Sequence, residues 1–87
     1  MTNKKTIEKD FVEFLKRGNP LIKNLKIIPK DKSLVELGLV DSFGVIEMIG
    51  YFENKYKIRI KDNEITKEKF GSINKMVKLV SEKILEL

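Results

Sequence analysis

Three stretches of this chain place apolar residues at helical spacing, and together they fix what it folds into. Ile7, Phe11, Phe14 and Leu15 follow the i, i+4, i+7, i+8 pattern of an amphipathic helix over residues 6–17. Phe43, Ile46, Ile49, Phe52 and Tyr56 keep helical spacing from residue 42 to 56, and these ring and aliphatic side chains are expected in the core. Ile73, Met76, Val77, Val80 and Ile84 form a third stripe. The one alternating segment, Ile58-Arg59-Ile60, has no second strand to pair with and reads as an extended connector. The fold class is therefore all-α, a bundle of three main helices with a shorter helix before the last.

The breaks between the stripes carry their own signals. Thr6 is the expected N-cap of the first helix, and Gly18-Asn19-Pro20 ends it. Asp41 caps the second, and Gly71-Ser72 opens the last. Asp62 and Thr66 are expected to cap short turns over 62–65 and 67–70. Residues 18–40 read as a long ordered loop pinned by scattered apolar side chains, with a helical turn around residues 33–37. A loop of that length in a small domain is often functional. Gly44 and Gly50 lie inside the second helix, where each costs roughly 1 kcal/mol relative to alanine. They point to a close approach at that helix.

The 87 residues are expected to form one domain, 1–87, with residues 1–5 frayed. The chain has no cysteine and no histidine. It therefore has no disulfide, no thiolate nucleophile, no Ser-His pair and no usual zinc ligand set. Catalytic and metal-ligating residues are accordingly expected to be none, and the chain is read as a binding or carrier protein rather than an enzyme. No apolar stretch is long enough to span a bilayer, and the residues after Met1 lack the apolar run of a signal peptide, so the expected location is the cytoplasm.

A net charge of +5 invites a nucleic-acid or membrane partner. Its distribution qualifies that reading. Residues 1–30 carry 8 Lys/Arg against 3 Asp/Glu, residues 31–56 carry 2 against 5, and residues 57–87 carry 8 against 5. The acidic middle of a basic chain is a candidate contact surface.

That middle holds the most informative run, Leu34-Val35-Glu36-Leu37-Gly38-Leu39-Val40-Asp41-Ser42-Phe43-Gly44-Val45-Ile46-Glu47-Met48-Ile49. Leu37-Gly38-Leu39, Asp41-Ser42-Phe43 and Ile46-Glu47-Met48, with Phe52-Glu53, Tyr56 to Ile60 and Ser72-Ile73 in register behind them, resemble the acyl carrier protein family. The resemblance implies a four-helix carrier fold and a monomer. It implies that Ser42 is modified with 4′-phosphopantetheine donated by coenzyme A, and that the arm's thiol carries an acyl or aminoacyl group between enzymes. The partners it implies are a phosphopantetheinyl transferase and a separate loading ligase or transferase. By the same resemblance Asp41, Phe43, Gly44 and Phe70 lie beside the arm, and Leu39, Glu47, Met48 and Glu53 face partner enzymes. The Asp-Ser-Phe-Gly form, with Phe70-Gly71-Ser72-Ile73 later, looks more like the stand-alone D-alanyl and aminoacyl carriers. Asn54, Lys55 and the positive net charge depart from the usual fatty-acid carriers. Fatty acyl, aminoacyl and polyketide cargoes all stay open.

The physics of the site suits that role. A serine just after the Asp41 cap sits near unpaired amides at the positive end of a helix dipole, where a phosphodiester is tolerated without a lysine cluster. Simpler readings stand beside it. Asp41-Ser42 taken alone is an ordinary cap and a surface serine, Glu47 and Glu53 taken alone are solvated charges, and Phe70 is as easily core. Met48 lies off the stripe and reads as an exposed contact. The alternative function is a small basic helical nucleic-acid-binding module, but the helix over 42–56 has a single lysine and no arginine with which to read a groove.

Overall fold

The computed structural model describes residues 3–87, and among these every regular element is helical. Helix α1 spans Lys4–Gly18, α2 is the single turn Pro20–Lys23, and α3 spans Ser42–Tyr56. A 3₁₀ turn at Asp62–Glu64 precedes the short α4, Lys67–Phe70, and α5 runs Ile73–Leu85. The three long helices lie where the apolar stripes put them. Helix α2 is the element hidden in the long loop. Pro20 at its first position loses no hydrogen bond there, because that N–H has no partner in a helix.

The caps explain the boundaries. Asp41, Thr66 and Ser72 each accept a hydrogen bond from the backbone N–H three residues on, at 2.9, 3.1 and 3.2 Å. Helix α1 departs from expectation. Asn3, not Thr6, is its cap, its Oδ1 accepting from the Thr6 N–H at 3.0 Å. Residues 3–5, expected to fray, form this cap and first turn; residues 1 and 2 of that expectation lie outside the described residues. Helix α3 ends on Lys57, whose φ of 56° reverses the chain into the left-handed region.

The core is built where α1, α3 and α5 meet. Ile7, Phe11, Phe52, Ile73 and Val80 are fully buried. The rings of Phe11 and Phe52 lie 4.5 Å apart, and Phe14 stacks on Tyr51 at 4.3 Å. Burying a phenylalanine contributes roughly 1.5–3 kcal/mol, so these rings are the main bond between α1 and α3. Helix α1 also packs on α5, α2 folds back on α1, and α4 rests on α5. Gly71 makes the last joint, for a Cβ there would collide with the Lys67 carbonyl oxygen.

The second stripe needs correction. Phe52 is core and Ile49 is half-buried, but Phe43 is 73% exposed and Ile46 65%. Met48, expected as an exposed contact, is buried at 1%. Helix α3 is apolar around most of its circumference, so spacing alone could select the wrong face. The buried line is Met48 and Phe52, one turn apart, with Val45, Ile49, Tyr51 and Tyr56 beside it.

Candidate functional site: a capped serine at the head of α3

The segment leading to Ser42 is held in place by backbone hydrogen bonds. Residues 33–38 make a turn, with the Leu37 N–H donating to the Ser33 carbonyl at 3.0 Å and the Gly38 N–H to that of Val35 at 3.0 Å. Gly38 sits at φ 74°, a conformation other residues adopt only with strain. The Leu39 N–H then returns to the Leu34 carbonyl at 2.9 Å. Leu34 is buried at 1% and anchors the turn.

Asn19 ties this segment to the rest of the molecule. Its Oδ1 accepts from the N–H groups of Leu21 at 3.0 Å and Ile22 at 3.2 Å, capping α2. Its Nδ2 donates to the Leu39 carbonyl at 2.7 Å, twenty residues along the chain. One side chain thus starts α2 and fixes the strand of loop just before Asp41. Its place in Gly18-Asn19-Pro20 signalled only a helix end.

Asp41 sets the first turn of α3. Its Oδ1 accepts from the Gly44 N–H and its carbonyl from the Val45 N–H. That leaves the amides of Ser42 and Phe43 without intrahelical partners. Ser42 is exposed at the first position of the helix, its hydroxyl reachable from solvent. Gly44 has a packing reason. A Cβ there would come within 3.1 Å of the Val40 Cβ, so the glycine lets the incoming loop lie close on α3.

The remaining sequence-predicted residues fall into two groups. Leu39, Asp41, Gly44 and Glu47 line a groove of about 630 Å³ between α3 and the α1–α2 corner, with Met48 at its floor. Phe43, next to Ser42 in sequence, and Ile46, one turn further on, stand clear of the core on the exposed side of the helix. Glu53 and Phe70 serve the fold. The Glu53 carboxylate accepts from the Ile60 N–H at 3.0 Å through one oxygen and holds the connector, so it has a structural task beside any contact with a partner. Phe70, expected beside the arm, is buried at 5% with its ring edge-on to Phe52 at 6.3 Å. It lines an apolar cavity of about 200 Å³ with Val40, Val45 and Met48. The one cation of α3, Lys55, lies 3.5 Å from Asp10, so this helix offers no basic face to a nucleic acid. Among the described residues no three His, Cys, Asp or Glu side chains converge on a metal-sized site, and no helix is long and apolar enough to cross a membrane.

The fold thus sets an exposed serine on a capped helix N-terminus, reached by a hydrogen-bonded loop and flanked by exposed apolar side chains. The family model described as the phosphopantetheine attachment site matches residues 20–80, and the chain belongs to that family. Among curated relatives it is 36% identical over 53 residues to the D-alanyl carrier protein of Streptococcus uberis, covering 61% of this chain and 67% of that protein. It is 35% identical over 52 residues to the D-alanyl carrier protein of Streptococcus sanguinis, covering 60% of this chain and 66% of that one. The matches thus span about two thirds of the length of these relatives. The protein is a carrier of this family, and the group the family carries is a covalent 4′-phosphopantetheine. The geometry fits such a group: Ser42 is exposed, and the amides of Ser42 and Phe43 beside it have no intrahelical partner.

Proposed function

We propose that Ser42 is the attachment residue and that the protein carries an aminoacyl group of the D-alanyl type. The observation that supports this most is the position of Ser42, exposed at the first turn of α3 behind the Asp41 cap. The cargo class is supported by the likeness to proteins named D-alanyl carriers.

In this reading Ser42 Oγ attacks the phosphorus of coenzyme A that bears pantetheine. A new P–O bond forms to serine, and the bond to the oxygen of adenosine 3′,5′-bisphosphate breaks. The serine proton leaves to a base of the transferase, because this chain offers no histidine or cysteine and Asp41 is engaged as a cap. The new phosphodiester sits by the amides of Ser42 and Phe43 at the positive end of the helix. Once bound, the arm supplies the thiol that this cysteine-free chain lacks. A phosphopantetheinyl transferase and an adenylate-forming ligase are the implied partners, docking on Phe43, Ile46 and Glu47, in the cytoplasm where coenzyme A is available. Met48, buried at 1%, is left out of that surface.

The test is intact mass after incubation with coenzyme A, magnesium and a broad-specificity transferase. Wild type should gain one phosphopantetheine and become reactive to a thiol reagent, to which the apo chain is silent. Ser42→Ala should do neither. A folded wild-type protein that gains nothing would sink the assignment, and a modified Ser42→Ala variant would move it to another residue.

A further inference from the structure

Residues 14–30 contain no acidic side chain. They contain Lys16, Arg17, Lys23, Lys26 and Lys30. Lys30 is neutralised by Glu8 at 3.0 Å. The other four are exposed and have no ion-pair partner among the described residues. The same stretch exposes two aliphatic side chains, Leu21 at 59% and Ile27 at 84%. This is not slack in a loose loop. Ile22 and Ile28, next to each of them in sequence, are buried at 0% and 9% and anchor the segment, and Asn19 pins its start.

Single exposed aliphatics are ordinary. Two of them, rigidly presented within a run of four unpaired cations, call for a surface that offers negative charge and hydrocarbon together. A nucleic acid offers the charge but nothing for Leu21 and Ile27 to enter. The stretch also has no ring free to stack on bases, since Phe14 is already stacked on Tyr51. An anionic bilayer offers both, with headgroups for the cations and the acyl boundary for the aliphatic tips. We propose that residues 16–27 dock the protein reversibly on an anionic lipid surface. Leu21 and Asp41 line one groove, so a docked molecule would hold the head of α3 close to the lipid. The inference does not depend on which residue is modified.

Co-sedimentation with vesicles tests it, using phosphatidylcholine alone and phosphatidylcholine mixed with phosphatidylglycerol. The full-length protein should sediment with the anionic vesicles only, and high salt should release it. Lys23→Glu/Lys26→Glu should lower partitioning by roughly tenfold or more, because each cation near such a surface counts strongly. Ile27→Ser should weaken it at unchanged charge. Both variants change exposed positions, and circular dichroism checks that they fold. Ser42→Ala should sediment like wild type, which keeps this proposal separate from the attachment site. The proposal is overturned by no sedimentation with anionic vesicles at low salt. It is equally overturned by sedimentation that the charge variant leaves unchanged, or by release from vesicles onto duplex DNA in competition.

Discussion

Two side chains decide where Ser42 stands. Asp41 caps α3 through one hydrogen bond, and replacing such a cap with alanine typically costs about 1 kcal/mol. Asn19 combines a cap with a long-range bond to Leu39. Asn19→Ala loses the cap and leaves the Leu39 carbonyl unpaired, for a cost of about 2 kcal/mol. Thermal melts should rank wild type above Asp41→Ala and Asp41→Ala above Asn19→Ala. Equal melting of wild type and Asn19→Ala would mean that the loop holds its place without that bond. The cap at Asp41 was legible because a good capping residue stands directly before a periodic run. The second task of Asn19 was not, since it depends on a carbonyl twenty residues away that no local pattern marks.

Among the elements, α3 departs furthest from its apolar spacing. Helices α1 and α5 have one apolar stripe each, and their buried faces follow it. Helix α3 has apolar residues on two faces, one packed in the core through Met48 and Phe52 and one exposed through Phe43 and Ile46. Helical spacing marks one buried face only, which makes Phe43 and Ile46 look like core and Met48 like surface. The exposed face makes a prediction. Phe43→Ser and Ile46→Ser remove no core packing, so melting should change by less than about 0.5 kcal/mol equivalent. Modification by the transferase should nonetheless slow, read as the rate of mass gain. An unchanged rate in both variants would remove this face from the docking surface. Helix α2 was hidden for a simpler reason: four residues are too few to show a period.

Across the whole molecule, the segments between helices are fastened by polar side chains rather than by apolar burial alone. Glu53 holds the connector at Ile60. Glu64 joins the 3₁₀ turn to α5, pairing with Lys83 at 2.7 Å and accepting from the Lys61 N–H at 2.8 Å. The hydrogen bond from Lys83, and then that from Lys61, holds the Glu64 carboxyl below its ordinary value of 4.5. A carboxyl lowered in the folded state stabilises the fold above its unfolded value, and that contribution is lost as pH falls through the folded one. Glu64→Gln should therefore melt below wild type at neutral pH, by less than about 1 kcal/mol for a pair that water still reaches. The gap should shrink as pH drops below 4.5. A gap independent of pH would show that charge at Glu64 plays no part. The three long helices, three caps and the exposed place of Ser42 on the first turn of α3 were legible from local sequence. These fastenings were not, because each joins residues that sequence gives no reason to pair.

The bond between Asn19 and Leu39 also closes residues 19–39 into a ring, and a closed ring confines its own movements. The ring exposes Lys23, Lys26 and Ile27 and is seated on the core through Ile22, Ile28 and Leu34. Opening it gives up the Asn19–Leu39 bond. The approach to Ser42 is thus the closing stitch of a loop rather than a loose strand.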